Sequence, residues 1–253
     1  MWVRIPPRAP AIMPELPEVE IVVRQLRQRL RGQTIRRVEV CDSKIQLNGK
    51  LVGRRINRVY RRAKFIVFEL TGQRHLLIHL RMTGWFEYVQ PARYRLAIHT
   101  GKSVAYFTDS RRFGTVELLT TEELTGKLAK LGPEPFQFDS QPLQRTKRPI
   151  KIALLDQSLI AGVGNIYASE SLWRARINPR RPAHRLLPAE WQRLQRGLVA
   201  ALRKGLSYGP RIYAVQKFFA YDRADKPCRR CRMPIRRIML AQRSTFFCPH
   251  CQR

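Results

Sequence analysis

The chain has 253 residues, enough for two domains with an apolar core in each, and 49 Lys and Arg against 18 Asp and Glu give it a net charge of +31. An excess of that size repels itself unless a polyanion neutralises it, so nucleic acid is the expected partner; a membrane-binding protein would show a compact lysine cluster, whereas these arginines run the whole length. No apolar run approaches the roughly 20 residues of a bilayer span, residues 1–12 lack the apolar stretch of a secretory signal, and an odd cysteine count suits a reducing, intracellular compartment better than a disulfide framework.

Residues 1–13 read as an extension foreign to the fold. The codons that Trp2–Pro10 permits resemble the 3′ end of a transfer RNA gene, which implies a frame run back into an upstream gene and a natural start at Met13; a genuine basic arm is the alternative. Trimming of Met13 would leave Pro14 as a free secondary amine beside the carboxyl of Glu15. Such an amine attacks an electrophilic carbon and forms a cationic iminium, while the neighbouring glutamate moves protons. Inside a longer chain the same proline is an inert imide. The segment Pro14–Glu20 then reads simply as a helix start, with Pro17 at a first helical position and Leu16, Val19, Val22, Val23, Leu26 and Leu30 on one face.

After that helix, short apolar segments alternate with turn signals. Ile35–Val40, Ile56–Tyr60, Phe65–Leu70, His75–Leu80, Trp85–Val89, Tyr94–Thr100, Ser103–Thr108 and Thr115–Thr120 are expected strands, separated by glycines such as Gly53, Gly72, Gly101 and Gly114. Eight strands at this spacing imply an antiparallel sandwich or barrel over residues 14–132. A proline-bearing polar stretch, 133–149, reads as a linker. From Ile150 the pattern turns helical, with one helix over Ile166–Arg176 and another from Pro188 to about Lys204, ended by Gly205. The expected fold class is α+β, with a helical domain over 150–222 and a metal-bound tail over 223–253.

The tail carries Cys228-x2-Cys231, sixteen residues, then Cys248-x2-Cys251. Two such knuckles supply the four thiolates of a closed, tetrahedral structural zinc site, and Ile235–Leu240 with Ser244–Phe247 would form the hairpin between them. A filled shell leaves no open position for catalysis. His250 is a possible fifth ligand, more simply read as exposed.

Six separated segments then resemble the formamidopyrimidine-DNA glycosylase family, in order from Met13 to the end. They are Pro14–Glu20, Arg62-Ala63-Lys64, His79-Leu80-Arg81-Met82-Thr83-Gly84, Asp109-Ser110-Arg111-Arg112-Phe113-Gly114, Gly162–Glu170, and Ala241–Phe246 with the four cysteines. The resemblance implies a DNA repair enzyme that both removes a damaged base and cuts at the abasic site. It implies an N-terminal antiparallel β-sandwich, a helix-two-turn-helix domain and a zinc-ribbon hairpin. By matched position Pro14 would attack C1′ of the damaged nucleotide, Glu15 would be its acid–base partner, and Lys64, on a strand, would hold a phosphate beside the lesion. Met82, Arg111 and Phe113 would fill the hole left by the extruded nucleotide, which physically needs an apolar wedge and a cation. Asn165 and Arg243 would grip the DNA backbone, and Glu18, His79, Arg112 and Lys151 are the remaining expected DNA contacts.

The same resemblance implies double-stranded DNA with a damaged base as partner, one structural Zn2+, no membrane association, a monomer, and a bacterial cytoplasmic, nucleoid-associated location. Ser110 stands where the family usually has proline and Arg81 where it often has glycine. The segment Gly205–Lys226 is shorter than the family's and lacks its glycine-rich loop, which bears on lesion preference. Oxidised purines are the expected substrates. The related endonuclease eight type, acting on oxidised pyrimidines, is the nearest alternative, although Leu16 replaces that group's glycine; a non-catalytic DNA-binding protein is the other, should residues 1–13 be retained.

Overall fold

The computed structural model describes residues 13–137, 139–209, 212 and 217–253. The expected extension therefore lies outside the described residues except for Met13, as does the middle of the short segment after Gly209. The chain divides into two compact units, Met1–Lys130 and Leu131–Arg253.

The first unit opens with α1 (Leu16–Leu30). Its start is fixed by Glu18, whose carboxylate accepts from the Glu15 backbone N–H at 2.9 Å in capping-box fashion. Eight strands follow: β1 (Ile35–Val40), β2 (Ile56–Arg62), β3 (Phe65–Leu70), β4 (Arg74–His79), β5 (Trp85–Glu87), β6 (Leu96–Thr100), β7 (Val104–Thr108) and β8 (Thr115–Thr120). They form two four-stranded antiparallel sheets, ordered β1-β6-β7-β5 and β2-β3-β4-β8. Inward residues of both sheets, among them Phe68, Ile78, Phe86, Ile98 and Phe107, make one core with Val19, Val22, Val23, Leu26 and Leu30 of α1. Each such side chain contributes about 1.5–3 kcal/mol by leaving water, which is what holds α1, and hence Pro14 and Glu15 at its start, against the sandwich.

A helix that the strand pattern does not announce, α2 (Thr121–Leu128), follows β8. It is started by a capping box between Thr120 and Glu123 and lays Leu124 over Val67 and Leu77, on the outer face of the second sheet. That sheet is thus buried on both faces, which explains the unbroken buried run His75–Ile78.

The second unit begins with the stretch expected to be a linker. It is folded: a 3-10 turn (Pro135–Gln137) and α3 (Gln141–Gln144) seat Leu143 in the interior, and the N–H of Ala161 donates to Pro133 O at 2.9 Å. Next come α4 (Ile150–Leu155), α5 (Asn165–Ala175) and α6 (Pro188–Ser207). Gly197 lets α6 approach α5, because a Cβ there would sit 2.9 Å from Ser171 O. The expectation that Gly205 ends α6 is corrected: Gly205 is buried within the helix, and the left-handed glycine that follows it is Gly209, φ +57°. The chain closes with the antiparallel hairpin β9 (Arg236–Leu240) and β10 (Arg243–Phe247). Among the described residues no helix is long and apolar enough to cross a membrane.

Candidate active site and metal centre

In the first unit the expected site residues fall on element ends and tight turns. Pro14 and Glu15 are both buried at the head of α1, Glu15 only 1% exposed. Lys64 lies not on a strand but in the two-residue turn between β2 and β3, because Arg62 pairs with Phe65 and Ala63 takes φ +52° to close the hairpin. Glu18 is fully buried and caps the helix, with its carboxylate on the Glu15 N–H.

His79 ends β4 with its ring edge-on to Phe65, centroids 4.8 Å apart. Burial, with the cations Arg81 and Lys64 adding to it, pulls its pKa down to about 3, so the ring is neutral. Its Nδ1 accepts the Arg81 N–H at 2.9 Å, which places the remaining ring proton on Nε2 as a donor. Arg81 itself takes φ +53°, the left-handed region that favours glycine.

The 109–114 loop is the most exposed part of this cluster. Phe113 is 50% exposed, an unusual setting for a phenylalanine, and the Arg111 guanidinium lies over its ring at 4.8 Å. Met82 is half-buried on the neighbouring 80–84 turn. Thr83 joins the two segments: its hydroxyl donates to Asp109 and accepts the Arg111 N–H at 3.2 Å. The Arg112 guanidinium clasps Asp42 through both Nε and Nη2, and its backbone is left-handed, φ +55°. Arg112 foremost, then the Lys44 N–H and Arg95, hold the Asp42 carboxyl well below the usual carboxylate range.

In the second unit one hairpin carbonyl and a neighbouring hydroxyl tie the hairpin to the helices. Ser244 O accepts from Lys151 Nζ at 2.8 Å and from Asn165 Nδ2 at 3.1 Å; Lys151 Nζ also donates to Thr245 Oγ1 at 2.8 Å. Lys151 is 0% exposed and serves as an internal strut between α4 and the hairpin. Asn165 is the first residue of α5, its amide nitrogen spent on the hairpin and its Oδ1 buried with no hydrogen-bond partner among the described residues. Arg243 is exposed, just after the turn made by Ala241 and Gln242 at φ +44° and +60°.

The four cysteines converge as their spacing predicts. Their Sγ atoms all lie within 4.8 Å of one another, compatible with zinc–sulfur bonds of about 2.3 Å. Trp173 Nε1 donates to Cys228 Sγ, and the Cys251 N–H to Cys248 Sγ, each at 3.4 Å. Burial raises the Cys228 pKa, but the N–H groups of Arg230 and Cys231 and the Trp173 indole overcome it and bring the thiol down to about 6. Donors aimed at sulfur favour the thiolate that a metal requires. His250 is exposed and takes no part.

Two groups carry weight that the sequence did not reveal. Glu170 on α5 is buried and accepts the N–H groups of Phe219, Ala220 and Tyr221 at 2.8–2.9 Å, pinning the strand of chain that leads to the cysteines. The pair Asp42–Arg95, 53 residues apart, lies beneath the 109–114 loop. Only a carboxylate facing successive backbone donors, or two opposite charges brought into one interior, identifies such residues; neither leaves a periodic trace in sequence.

A sandwich headed by a proline–glutamate helix, with a helical unit that ends in a four-cysteine ribbon, defines a zinc-bearing DNA-repair glycosylase class. The chain matches three family models: the formamidopyrimidine-DNA glycosylase N-terminal domain over residues 13–116, the H2TH domain of the same enzymes over 131–217, and the zinc finger found in FPG and IleRS over 225–253. The formamidopyrimidine-DNA glycosylases of Chloroflexus aurantiacus and Thermus thermophilus are 39% and 40% identical to it, covering 95% of this chain and 98% of each relative. Among solved structures, the Lactococcus lactis Fpg complex with abasic-site DNA superposes with TM-score 0.86 at 32% identity, over 95% of this chain and 100% of that one. The MutM (Fpg) protein of Thermus thermophilus gives 0.85 at 38%, over 94% and 98%. The chain belongs to the formamidopyrimidine-DNA glycosylase family, and Cys228, Cys231, Cys248 and Cys251 form a structural zinc site.

Proposed function

We propose that this chain excises oxidised purines, 8-oxoguanine and formamidopyrimidines, from duplex DNA and then cleaves the strand at the abasic site, as a bifunctional enzyme of base excision repair. The observation that carries the reading is Pro14 followed by Glu15 at the head of α1, in a match to the family's N-terminal domain that begins at residue 13. With Pro14 as the first residue, its nitrogen attacks C1′, the glycosidic bond breaks and the base leaves with the bonding electrons and a proton. Opening of the sugar gives an iminium between Pro14 and C1′, with Glu15 moving the protons. Loss of the C2′ proton expels the 3′ phosphate, and a second elimination expels the 5′ phosphate, so that the strand is cut on both sides.

In this reading Lys64 holds a phosphate beside the lesion, and His79 donates from Nε2 to another. Met82, Arg111 and Phe113 occupy the space of the extruded nucleotide, and Arg243 and the α5 start bearing Asn165 face the backbone. Zinc supplies no step; it holds the hairpin that carries Arg243. Support comes from the solved relatives, whose complexes contain abasic-site DNA, Fapy-dG DNA and carbocyclic 8-oxo-G DNA. The protein acts as a monomer in the bacterial cytoplasm, associated with the nucleoid.

Borohydride trapping on an abasic duplex tests the chemistry. Protein that starts at Pro14 should form a covalent adduct, and acetylating its N-terminus should abolish it; an adduct that survives acetylation refutes the role of Pro14. The short Gly205–Lys226 segment favours a second reading for the lesion alone, oxidised pyrimidine, and a panel of single-lesion duplexes decides between the two.

A further inference from the structure

The ion cluster beneath the 109–114 loop supports an inference that rests on the reading of Arg111 and Phe113 as residues inserted into DNA. Asp109 accepts from the Thr83 hydroxyl, the Gly114 N–H at 2.7 Å and Arg95 Nη1 at 3.0 Å. One carboxylate therefore ties the turn bearing Met82 to the loop bearing Phe113 and closes that loop on itself. Arg95 reinforces the closure, because Nη1 also donates to Gly114 O at 2.7 Å while Nε donates to Asp42. Asp42 in turn is clasped by Arg112, the residue between Arg111 and Phe113. Asp42, Arg95 and Asp109 are each only 5% exposed. Gly114 completes the frame, since a Cβ there would meet Phe107 Cζ at 2.7 Å and Asp109 Oδ2 at 3.0 Å.

Buried charges are costly and persist where their hydrogen bonds are complete. Here their bonds converge on the backbone of one exposed loop. Neither Asp42 nor Arg95 lies in any of the six segments that carry the family resemblance. We propose that Asp42 and Arg95 are positioning residues for lesion extrusion: through Arg112, Asp109 and Gly114 they set the backbone from which Arg111 and Phe113 project before DNA arrives. A preset wedge enters the stack without first having to order its loop.

The test is stopped-flow fluorescence with 2-aminopurine beside the lesion, alongside turnover and borohydride trapping on a single-stranded abasic oligonucleotide that needs no extrusion. Arg95→Lys retains a buried cation but has one nitrogen and cannot span Asp42, Asp109 and Gly114 O. It should slow the insertion phase and kcat on duplex by about tenfold, leaving KM and single-strand trapping as in the parent. Asp42→Asn, nearly isosteric, should move the same quantities in the same direction by less. An insertion phase at the parent rate in both variants overturns the inference, as does an equal loss on the single strand. Phe113→Ala separates the two levels: if it leaves insertion unchanged, the underlying reading fails, and if it alone slows insertion, only the role of Asp42 and Arg95 fails.

Discussion

Acidification should destabilise the first unit through His79, and the size of the effect follows from its surroundings. The ring is half-buried at the end of β4, packed on Phe65, with its pKa lowered from 6.5 to about 3 by burial and by Arg81 and Lys64. A depressed folded value means that the unfolded chain takes up the proton first. Stability is therefore fully present above pH 6.5 and is lost as the pH falls from there towards 3. At about 1.4 kcal/mol for each unit, going from pH 7 to pH 5 costs about 2 kcal/mol from this residue. His75 shifts in the same direction, mainly by burial, so total acid loss is not diagnostic. The comparison is between the parent and His79→Gln, each unfolded in urea at both pH values. The parent should lose about 2 kcal/mol more than the variant; equal losses would refute a half-buried, neutral His79.

Other perturbations reach the remaining parts of the molecule. Chelating the zinc should expose Trp173, whose indole donates to Cys228 Sγ, shifting its emission to the red and weakening DNA binding while the first unit keeps its own unfolding transition; unshifted emission with full binding would contradict this. Glu170→Ala strands three backbone donors, at 219, 220 and 221, each costing about 1–3 kcal/mol when buried, so urea unfolding of the second unit should show a loss of at least about 3 kcal/mol. Arg81→Gly relieves a left-handed arginine, φ +53°, worth about 1–2 kcal/mol, against about 0.5–1 kcal/mol of added chain entropy; a rise in Tm is expected, and a fall would show that the Arg81 side chain contributes more than its backbone costs.

Much of the fold was legible because its signals are local. Strands β1, β3 and β8 begin and end where alternation and turn residues put them, and the two cysteine knuckles bracket a hairpin of the expected length. α2 was not legible: only Leu124 of its eight residues is buried, and its partners Val67 and Leu77 lie on a sheet face that an ordinary sandwich would give to water. The polar stretch 133–149 hid a folded segment for a similar reason, since Pro135 and Leu143 are its only buried residues among those described. Within the candidate site, sequence indicates which side chains carry charge but not which of them face inward. Nothing in the sequence marks Lys151 and Glu18 as buried, with Lys151 on Ser244 O and Thr245 Oγ1 and Glu18 on the Glu15 N–H. Phe113 was singled out by the family resemblance alone, since by itself a phenylalanine there reads as a strand residue packing the sandwich, whereas it is 50% exposed.

The double hold on the Ser244 carbonyl, from Lys151 and Asn165, has a consequence for how the ribbon can be reused. Four cysteines and a turn would travel to a foreign protein readily enough, but the orientation of Arg243 would not travel with them. Whoever grafts this finger must carry α4 and the first residue of α5 as its socket, and a shuffling event that moved the tail alone would deliver a metal-bound hairpin with no fixed aim.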